Sequence, residues 1–282
     1  MQRQKSFLDK TPTLYLVPTP IGNFDDMTYR AVVVLKNVDL IYAEDTRVTK
    51  VLLSHFSINT PLLSYHIFNE NEIVIDIINK LKEGKSIALV SDAGMPCISD
   101  PGFLISNKAV EEGINVISLP GANAALTALI ASGLPSEKFF FYGFLDHKAT
   151  QKEKQLIEIQ DYKETLIFYE APHRIKETLE VLYKVYGNRK VVIARELTKK
   201  YEEYIRGYLE DILNASLELK GEIVLIVSGA EVSRLQSQLL SKSIQEHYDF
   251  YINEGISNKD AMKKVAKDRN ISKSEVYKEL LD

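Results

Sequence analysis

The loop at residues 91–102, Ser-Asp-Ala-Gly-Met-Pro-Cys-Ile-Ser-Asp-Pro-Gly, contains the residue types best suited to chemistry in this chain. Asp92 and Asp100 can accept hydrogen bonds from hydroxyl groups or face a cation. Pro96 and Pro101 stiffen the loop, and its glycines let a ligand approach the backbone closely. Because the loop follows a short apolar run, and strand ends in open α/β sheets are frequent ligand sites, it predicts a binding site. The alternative is a tight turn whose aspartates only cap helices.

Four further clusters of acidic and basic residues each follow an apolar run that predicts a β-strand. They are Glu-Asp-Thr-Arg at residues 44–47, Gly-Phe-Leu-Asp-His-Lys at 143–148, Glu-Ala-Pro-His-Arg at 170–174 and Arg-Glu-Leu-Thr-Lys at 195–199. Any one of them can be a helix cap, an ion pair or a solvated loop. Four at successive strand ends predict convergence on one edge of a sheet. A proline-rich and glycine-containing loop, Val-Pro-Thr-Pro-Ile-Gly-Asn, precedes them at residues 17–23.

Several catalytic motifs are absent from the sequence. It has no G-x-x-x-x-G-K-[ST] phosphate-binding loop, no G-x-G-x-x-G dinucleotide motif and no G-x-S-x-G nucleophile elbow. Its five histidines show no metal-ligand spacing, so no metal site is predicted. The lone Cys97 is more typical of a small hydrophobic residue than of a nucleophile. Transfer of a group from a bound cofactor fits the chemistry that remains.

Length and charge narrow the class of protein. The chain has 282 residues, which is sufficient for two domains with their own cores. Its formal net charge of −4 argues against a surface covered in positive charge for non-specific nucleic-acid binding, although a local basic groove is compatible with it. The single cysteine, the polar N-terminus without a signal segment and the absence of a membrane-length apolar run predict a cytoplasmic protein.

The elements that position these loops alternate between strand and helix. Residues 12–120 predict an α/β domain with a largely parallel sheet, in which Asp26 caps the first helix. A helix from Ala122 begins a second α/β domain, at residues 121–232. Within it, the alternating residues 203–208 predict a strand that pairs antiparallel with a neighbour. We expect the active site in the cleft between the two domains.

Both ends of the chain differ from these domains. Residues 1–11 are polar and predict a flexible tail. Residues 233–282 predict a polar linker, followed by two short helices capped by Ser257 and Ser272. With the turn between them, these helices make a hairpin similar to a helix-turn-helix.

The residues of these motifs and their order along the chain resemble those of the tetrapyrrole methylase superfamily, and in particular of its branch that methylates ribosomal RNA. The resemblance begins with the loops at residues 17–23, 44–47 and 91–102. It continues through Leu-Pro-Gly-Ala-Asn-Ala-Ala-Leu-Thr at 119–127 and the last two acid–base clusters, so it covers nearly the whole chain. It implies two α/β domains of the tetrapyrrole methylase type, a cofactor cleft between them and a homodimer.

The resemblance also implies a reaction. S-adenosylmethionine is the implied methyl donor, and the implied acceptor is the ribose 2′-hydroxyl of a cytidine in the decoding region of 16S rRNA, within the small ribosomal subunit. Asp92 can hold polar groups of the cofactor, and apolar side chains can shelter its adenine and sulfonium. The residues implied in cofactor binding are Pro20, Ile21, Asp92, Met95, Asn123, Ala124, Phe168 and Tyr169.

Methyl transfer to a hydroxyl is an in-line displacement that depends mainly on geometry, and a base that takes the hydroxyl proton adds to the rate. Three carboxylates are unranked candidates for that base: Asp45, Glu170 and Glu196. Arginines can hold the phosphates next to the target nucleotide by bidentate pairing. The candidates for RNA contact are Arg47, Lys148, Arg174, Arg195 and Lys199.

The sequence departs from the ribosomal branch at a few positions. Asp146 occupies a position where proline is usual, Met95 replaces threonine, and Ala122 and Asn123 replace proline and serine. Asp146 adds negative charge to a loop expected to face RNA.

Two other functions stay open. One is methylation of a tetrapyrrole or of diphthine by the same fold, against which the first loop has prolines in place of glycines. The other is a non-catalytic protein that assists ribosome assembly.

Overall fold

The computed structural model describes residues 3–6, 12–65, 70–215, 217–231 and 234–281, and only the backbone of residues 70, 71, 234 and 237. These residues form two five-stranded sheets followed by a group of four helices. Helices pack on both faces of each sheet, which confirms the predicted α/β class. None of the helices among these residues has the length and apolar character needed to cross a membrane.

The first sheet is entirely parallel. Its strands are β1 (Thr13–Val17), β2 (Leu40–Ala43), β3 (Leu62–Ser64), β4 (Ile87–Val90) and β5 (Asn115–Ser118). Their order across the sheet is β3-β2-β4-β1-β5. The central strand β4 is buried along its whole length, which explains its uninterrupted apolar sequence. The carboxyl ends of all five strands lie along one edge, where the loops after β1, β2 and β4 meet.

Two apolar clusters attach helices to opposite faces of this sheet. The helices are α1 (Tyr29–Asn37), α2 (Thr46–His55), α3 (Glu70–Lys82) and α4 (Phe103–Glu111). Helices α1 and α2 pack on one face, and α3 and α4 on the other. The prediction that Asp26 caps α1 is wrong. Residues Phe24–Asp26 form a separate 3₁₀ turn, and Thr28 caps α1 by accepting a hydrogen bond from the backbone N–H of Ala31 at 3.1 Å.

The second sheet is mixed. Its strands are β6 (Phe139–Phe144), β7 (Thr165–Glu170), β8 (Lys190–Arg195), β9 (Glu203–Tyr208) and β10 (Ile223–Val227). Their order is β6-β7-β10-β8-β9, with β6 and β7 parallel and every other pair antiparallel. Strand β9 therefore pairs antiparallel with β8, as its alternating pattern predicts.

One helix covers the face of the second sheet that looks towards the first half of the chain, and three cover the other. The single helix is α5 (Ala124–Ser132); the three are α6 (Ala149–Ile159), α7 (Ile175–Tyr186) and α8 (Leu209–Asn214). The predicted start of α5 at Ala122 is two residues too early. Asn123 is the cap, because its Oδ1 accepts a hydrogen bond from the backbone N–H of Leu126 at 2.9 Å.

The C-terminal group has four helices where the sequence predicts a linker and two. They are α9 (Arg234–Leu240), α10 (Ile244–Asn253), α11 (Asn258–Arg269) and α12 (Lys273–Glu279). Ser257 and Ser272 cap α11 and α12, as predicted. Within residues 231–242, which the sequence predicts as a linker, α9 is helical and its Leu239 is buried. The following helix α10 also belongs to the small core. His247 on α10 is fully buried, and its Nδ1 accepts a hydrogen bond from Arg269 Nε at 3.2 Å.

The predicted N-terminal tail is attached to the first sheet at Gln4. Its side-chain amide donates to the carbonyl of Val116 at 2.9 Å and accepts from the N–H of Val116 at 3.0 Å. Val116 lies in β5, the last strand of the sheet on that side. The predicted domain limit between residues 232 and 233 lies outside the described residues, and the limit near residue 121 stays a prediction.

Candidate active site

A cavity of about 570 Å³ opens between the two halves of the chain. Its volume is in the range of small-molecule sites. The first half contributes Ile21, Ala93, Gly94, Met95, Ile98, Ser99 and Asp100 to its lining. The second half contributes, among others, Asn123, Ala124, Phe144, Tyr169, Glu170, Glu196, Leu197, Lys199, Gly221 and Glu222. The cleft that the sequence predicts is therefore present, and both halves build it.

The two loops after β1 and β4 are joined by hydrogen bonds. Thr19 and Gly94 exchange both backbone hydrogen bonds, at 2.9 and 3.0 Å. The Thr19 hydroxyl donates to the carbonyl of Ser91 at 2.9 Å, and the Ser91 hydroxyl donates to that of Gly94 at 2.7 Å. These loops at residues 17–23 and 91–102 therefore form one rigid wall of the cavity.

Strained backbone is concentrated in the loops around the cavity. Cys97 and Ser99 have φ angles of +69° and +61°, and Glu196 and Thr198 have +50° and +65°. Residues other than glycine rarely adopt this left-handed region, and they do so at a cost that the surrounding structure must offset. Such strain is typical of functional loops, and it marks the loop after β8 as well as the loop after β4.

Asp100 is the acidic residue in the cavity with the most perturbed ionisation. Burial, followed by the charges of Glu44 and Asp92, raises the pKa of Asp100 to about 6. Within the described residues, no group donates a hydrogen bond to its carboxylate. A carboxyl group whose pKa is close to the working pH can both take and release a proton, which is the property expected of a general base.

Asp45 is held in a different state. Its Oδ1 accepts hydrogen bonds from the backbone N–H and the Nε of Arg47 at 2.8 and 3.0 Å, and its Oδ2 from Nη2 at 2.6 Å. These bonds lower the pKa of Asp45 to about 2. The carboxylate caps α2 and binds its own neighbour, so it is a weak proton acceptor.

Glu196 and Lys199 form an ion cluster with Glu222. Lys199 Nζ donates to Glu196 Oε1 at 3.0 Å and to Glu222 Oε2 at 2.9 Å. Glu196 Oε1 also accepts from the backbone N–H of Glu222 at 3.1 Å. The hydrogen bond from Lys199 lowers the pKa of Glu196. The cluster places three charged groups on one side of the cavity with a net negative charge.

Glu170 is buried and fully occupied by protein groups. It accepts hydrogen bonds from the backbone N–H of Ala171 at 2.8 Å and from the Thr178 hydroxyl at 2.5 Å, and it lies 3.2 Å from Arg174 Nε. Its backbone borders the cavity. A carboxylate in this setting is suited to holding neighbouring groups in place.

Five of the eight residues predicted to bind the cofactor line the cavity: Ile21, Met95, Asn123, Ala124 and Tyr169. The other three do not line it. Phe168 alternates with Tyr169 along β7 and points into the core under α6, α7 and α8. The Asp92 carboxylate accepts a hydrogen bond from the backbone N–H of Asp45 at 3.1 Å, and Pro20 is buried behind the wall.

Two of the five residues predicted to contact RNA are committed within the protein. Arg174 Nη2 donates to the carbonyls of Leu145 and Asp146, at 2.6 and 3.1 Å. Arg195 Nε donates to Glu203 at 2.5 Å. The side chains of both arginines are only 22% exposed, which does not suit a role in gripping phosphates.

The other three basic candidates differ in how accessible they are. The Arg47 side chain is 90% exposed beside α2. Lys148 is exposed after β6. Lys199 is partly buried in its ion cluster. Lys148 and Arg47 are therefore the two most exposed candidates, although Arg47 is also paired with Asp45.

Asn123 lines the second half of the cavity and also caps α5, and a pair of substitutions can separate these two roles. Asn123→Ala removes the cap of α5 and is expected to lower the free energy of unfolding by about 1 kcal/mol. Asn123→Ser keeps a capping oxygen and is expected to retain both stability and affinity for S-adenosylhomocysteine. Urea unfolding and calorimetric titration measure the two quantities. Loss of affinity in the serine variant at unchanged stability would show that the amide itself binds the ligand.

Comparison with known proteins decides the family. The family model described as Tetrapyrrole (Corrin/Porphyrin) Methylases matches residues 13–213, well over half of the chain. The chain belongs to the tetrapyrrole methylases. This membership accounts for the two α/β halves and the cleft between them, and it agrees with the resemblance seen in the motifs.

Relatives named "Ribosomal RNA small subunit methyltransferase I" match this tetrapyrrole methylase over almost its full length. The protein of that name from Bacillus subtilis (strain 168) is 50% identical, over 98% of this chain and 97% of the relative. The one from Streptococcus pyogenes serotype M3 is 48% identical, over 100% of both chains. The C-terminal helices, which lie beyond the family model, are included in these matches.

Solved structures of two other proteins share the fold at low sequence identity. Uroporphyrin-III-C-methyltransferase from Thermus thermophilus superposes with a TM-score of 0.56 at 19% identity, over 77% of this chain and 94% of that one. A diphthine synthase superposes with a TM-score of 0.60 at 14% identity, over 79% and 92%. At this identity the likeness concerns the fold alone.

The structure adds residues that the sequence analysis did not assign to the site. The sequence marks Asp100 as a polar residue of the loop, and only the tertiary structure shows that it is partly buried at the cavity. Gly221 and Glu222 lie before β10 and carry no motif. At Gly221, an added Cβ would lie 2.2 Å from Glu196 Oε1, so a side chain there would force Glu196 to move.

Proposed function

We propose that this tetrapyrrole methylase transfers a methyl group from S-adenosylmethionine to the ribose 2′-hydroxyl of a cytidine in the decoding region of 16S rRNA. The proposed substrate is the assembled small ribosomal subunit, and the proposed compartment is the cytoplasm. The relatives at 48–50% identity over nearly the full length, with their shared name, support rRNA as the substrate class. The target nucleotide and position come from the resemblance of the motifs.

The cavity fits the proposed methyl donor, and this is the observation that carries the proposal. Ile21, Met95 and Leu197 supply apolar surface for an adenine ring. Asp100 and the Glu196–Lys199–Glu222 cluster add negative charge, which favours a positively charged sulfonium. A related methyltransferase structure is described as complexed with S-adenyl homocysteine. The lack of a side chain at Gly221 leaves room for the Glu196 side chain in the wall of the cavity.

The bound cofactor supplies a methyl carbon activated by a positively charged sulfur. The protein must then hold a ribose oxygen in line with that carbon and receive the hydroxyl proton. We assign the proton to Asp100, because hydrogen bonds from Arg47 make Asp45 a weak base. Glu170 is occupied by Thr178 and Ala171, and Glu196 by Lys199 and the backbone N–H of Glu222. The hydrogen bonds between Thr19 and Gly94 join the loops at 17–23 and 91–102, so the loop that carries Asp100 is held to the loop after β1.

Arg47 is proposed to contact the RNA backbone near the target. Arg47→Ala is expected to weaken binding to small ribosomal subunits several-fold and to reduce the slope of log affinity against log salt by about 1, as expected for one lost phosphate contact. Filter binding over a series of salt concentrations measures both. Lys36→Ala is the matched control, because Lys36 is in the last turn of α1, away from the loops of the site. An unchanged slope in Arg47→Ala would contradict the assignment.

The proposed assembly is a homodimer. Leu126 and Ile130 lie one turn apart on α5 and are both exposed, which suits a contact with a second copy. Ile130→Glu is therefore expected to convert a dimer into a monomer, measured as a halved mass by light scattering. A wild-type protein that is already monomeric, or a variant that stays dimeric, would contradict this choice of surface.

The decisive experiment measures transfer of a labelled methyl group to small ribosomal subunits from a strain that lacks this protein. Free 16S rRNA is tested alongside, and nuclease digestion locates the label. The proposal predicts label on one ribose of the decoding region in subunits only. Label on the base, or on free rRNA to the same extent, would change the proposed acceptor or substrate. No label despite measurable cofactor binding would favour another methyl acceptor or a role in assembly.

A further inference from the structure

Lys152, in the first turn of α6, is fully buried, which is rare for a lysine. Its Nζ donates hydrogen bonds to Glu177 Oε1 at 2.7 Å and to Thr178 Oγ1 at 2.9 Å. Both partners are on α7, so the ammonium group joins the two helices. Glu177 is half exposed and would be satisfied by water, so its charge does not account for burying a lysine here.

The hydrogen bonds around Thr178 can have only one direction. A lysine ammonium group has donors and no acceptor, so Thr178 Oγ1 must accept from Lys152. Its own proton is then available to Glu170 Oε2, which lies 2.5 Å away. Lys152 thereby orients a chain of hydrogen bonds that runs from α6 through α7 to the end of β7.

The chain continues from Glu170 to the loop after β6. Glu170 Oε1 lies 3.2 Å from Arg174 Nε, and charge attraction holds the guanidinium in place. Arg174 Nη2 donates to the backbone carbonyls of Leu145 and Asp146. A buried lysine is thus connected, through side chains alone, to the backbone of a loop on the border of the cavity.

Two side chains depend on the position of that loop: one lines the cavity and the other is exposed to solvent. Phe144, directly before Leu145, lines the cavity, and its ring centre is 5.5 Å from that of Tyr169. Lys148 is exposed, and its backbone N–H donates to Asp146 Oδ1 at 2.7 Å. A displacement of the backbone at residues 145–146 would therefore move both the apolar wall and the exposed lysine.

We propose that Lys152 is a positioning residue for methyl transfer. Through Thr178, Glu170 and Arg174, it holds the loop after β6 in the conformation that places Phe144 at the cavity and leaves Lys148 exposed beside it in sequence. Glu170 and Arg174 then support the loop instead of moving a proton or gripping a phosphate. The inference rests on the proposed methyltransferase function.

The test combines two disrupting variants with two controls. Lys152→Met removes the ammonium group, and Thr178→Val removes the hydroxyl group that links it to Glu170. Thr178→Ser keeps that hydroxyl group. Lys184→Met removes an exposed lysine that also joins α7 to α6, through Glu153 at 2.8 Å. All proteins are compared well below their Tm, so that a general loss of stability does not enter the result.

Two readouts are taken on each protein. Hydrogen–deuterium exchange of residues 144–148 is expected to become faster in Lys152→Met and Thr178→Val and to stay unchanged in both controls. The single-turnover rate with saturating small subunits is expected to fall about tenfold or more in the same two variants, as for a misplaced reacting group. Affinity for S-adenosylhomocysteine is expected to stay within about threefold, because most of the cavity wall is untouched.

The outcomes separate this inference from the proposed function. Unchanged exchange in both disrupting variants would overturn the inference, and so would faster exchange with an unchanged rate in an active enzyme. An equal loss in Thr178→Ser or Lys184→Met would also overturn it, since those changes leave the chain intact. A wild-type protein that transfers no methyl group would contradict the proposed function, while the exchange data would still show whether Lys152 holds the loop.

Discussion

Asp100→Asn is expected to slow methyl transfer by about 10²–10⁴-fold at pH 8, the usual contribution of a general base. Asparagine has nearly the shape of aspartate but cannot take a proton at this pH. The affinity for S-adenosylhomocysteine is expected to stay unchanged, because that ligand lacks the positive sulfur. Single-turnover transfer to small subunits and calorimetric titration measure the two effects.

The pH dependence of the same variant is a second part of this result. The wild-type rate is expected to rise as the pH passes about 6, where Asp100 loses its proton, and the variant is expected to lack this rise. The stability of the folded state depends on pH in the opposite direction. Since the folded state raises the pKa of Asp100, wild-type stability falls as the pH rises from about 4 to 6. Asp100→Asn is expected to be more stable at pH 8 by on the order of 1 kcal/mol, after allowance for solvent screening.

Asp45→Asn is the matched control for Asp100→Asn. The pKa of Asp45 is about 2, so this carboxylate has no titration near pH 6. If Asp45→Asn abolishes transfer at saturating substrate and Asp100→Asn does not, the base assigned here is wrong. If Asp100→Asn weakens binding of S-adenosylmethionine but leaves the rate of transfer at saturating S-adenosylmethionine unchanged, the carboxylate only balances the sulfonium charge.

Gly221→Ala is the second change with a large expected effect. A Cβ at this position would lie 2.2–2.5 Å from Oε1, Cδ and Cγ of Glu196, and the glycine has a φ of +82°. Glu196 would have to leave Lys199 and swing into the cavity. We expect the affinity for S-adenosylhomocysteine to fall at least about tenfold and the free energy of unfolding to fall by about 2 kcal/mol.

Gly133→Ala is a control that separates backbone strain from the displacement of Glu196 as causes of the lost affinity and stability. Gly133 ends α5 with a φ of +79°, close to that of Gly221, but an added Cβ there meets no atom within 4 Å. This control is expected to show only the backbone cost, about 1 kcal/mol, with normal ligand affinity. Equal affinity losses in both variants would mean that backbone strain, and not the displacement of Glu196, disturbs the cavity.

Local patterns were sufficient for most of the strands and for the loops that build the site. The alternation of apolar runs and helical patterns predicted the α/β class, and the serine caps of α11 and α12 were visible in the sequence. The cap of α1 could not be identified from the sequence, because Asp26 and Thr28 are both good capping residues. Only the path of the folded chain selects Thr28. Helices α9 and α10 were missed because their small core includes polar residues such as His247.

The sequence was sufficient to predict which loops form the site, but not what each side chain in those loops does. In β7 the sequence shows two adjacent aromatic residues, Phe168 and Tyr169, without showing which of them faces the cavity, since side chains alternate between faces. The guanidinium of Arg174 could not be assigned either, because its partners, the carbonyls of Leu145 and Asp146, are almost thirty residues away. Asp100 became prominent only when folding buried it near other carboxylates.

The contact between Gln4 and β5 has a consequence for the solution behaviour of the protein. An outer strand with open N–H and C=O groups is a template on which another chain can add a strand, and native proteins cover such edges. The amide of Gln4 makes with Val116 the pair of hydrogen bonds that an incoming strand would make. Gln4 therefore acts as a guard against intermolecular β-pairing at this position, and a recombinant form shortened past Gln4 would leave the position open to aggregation.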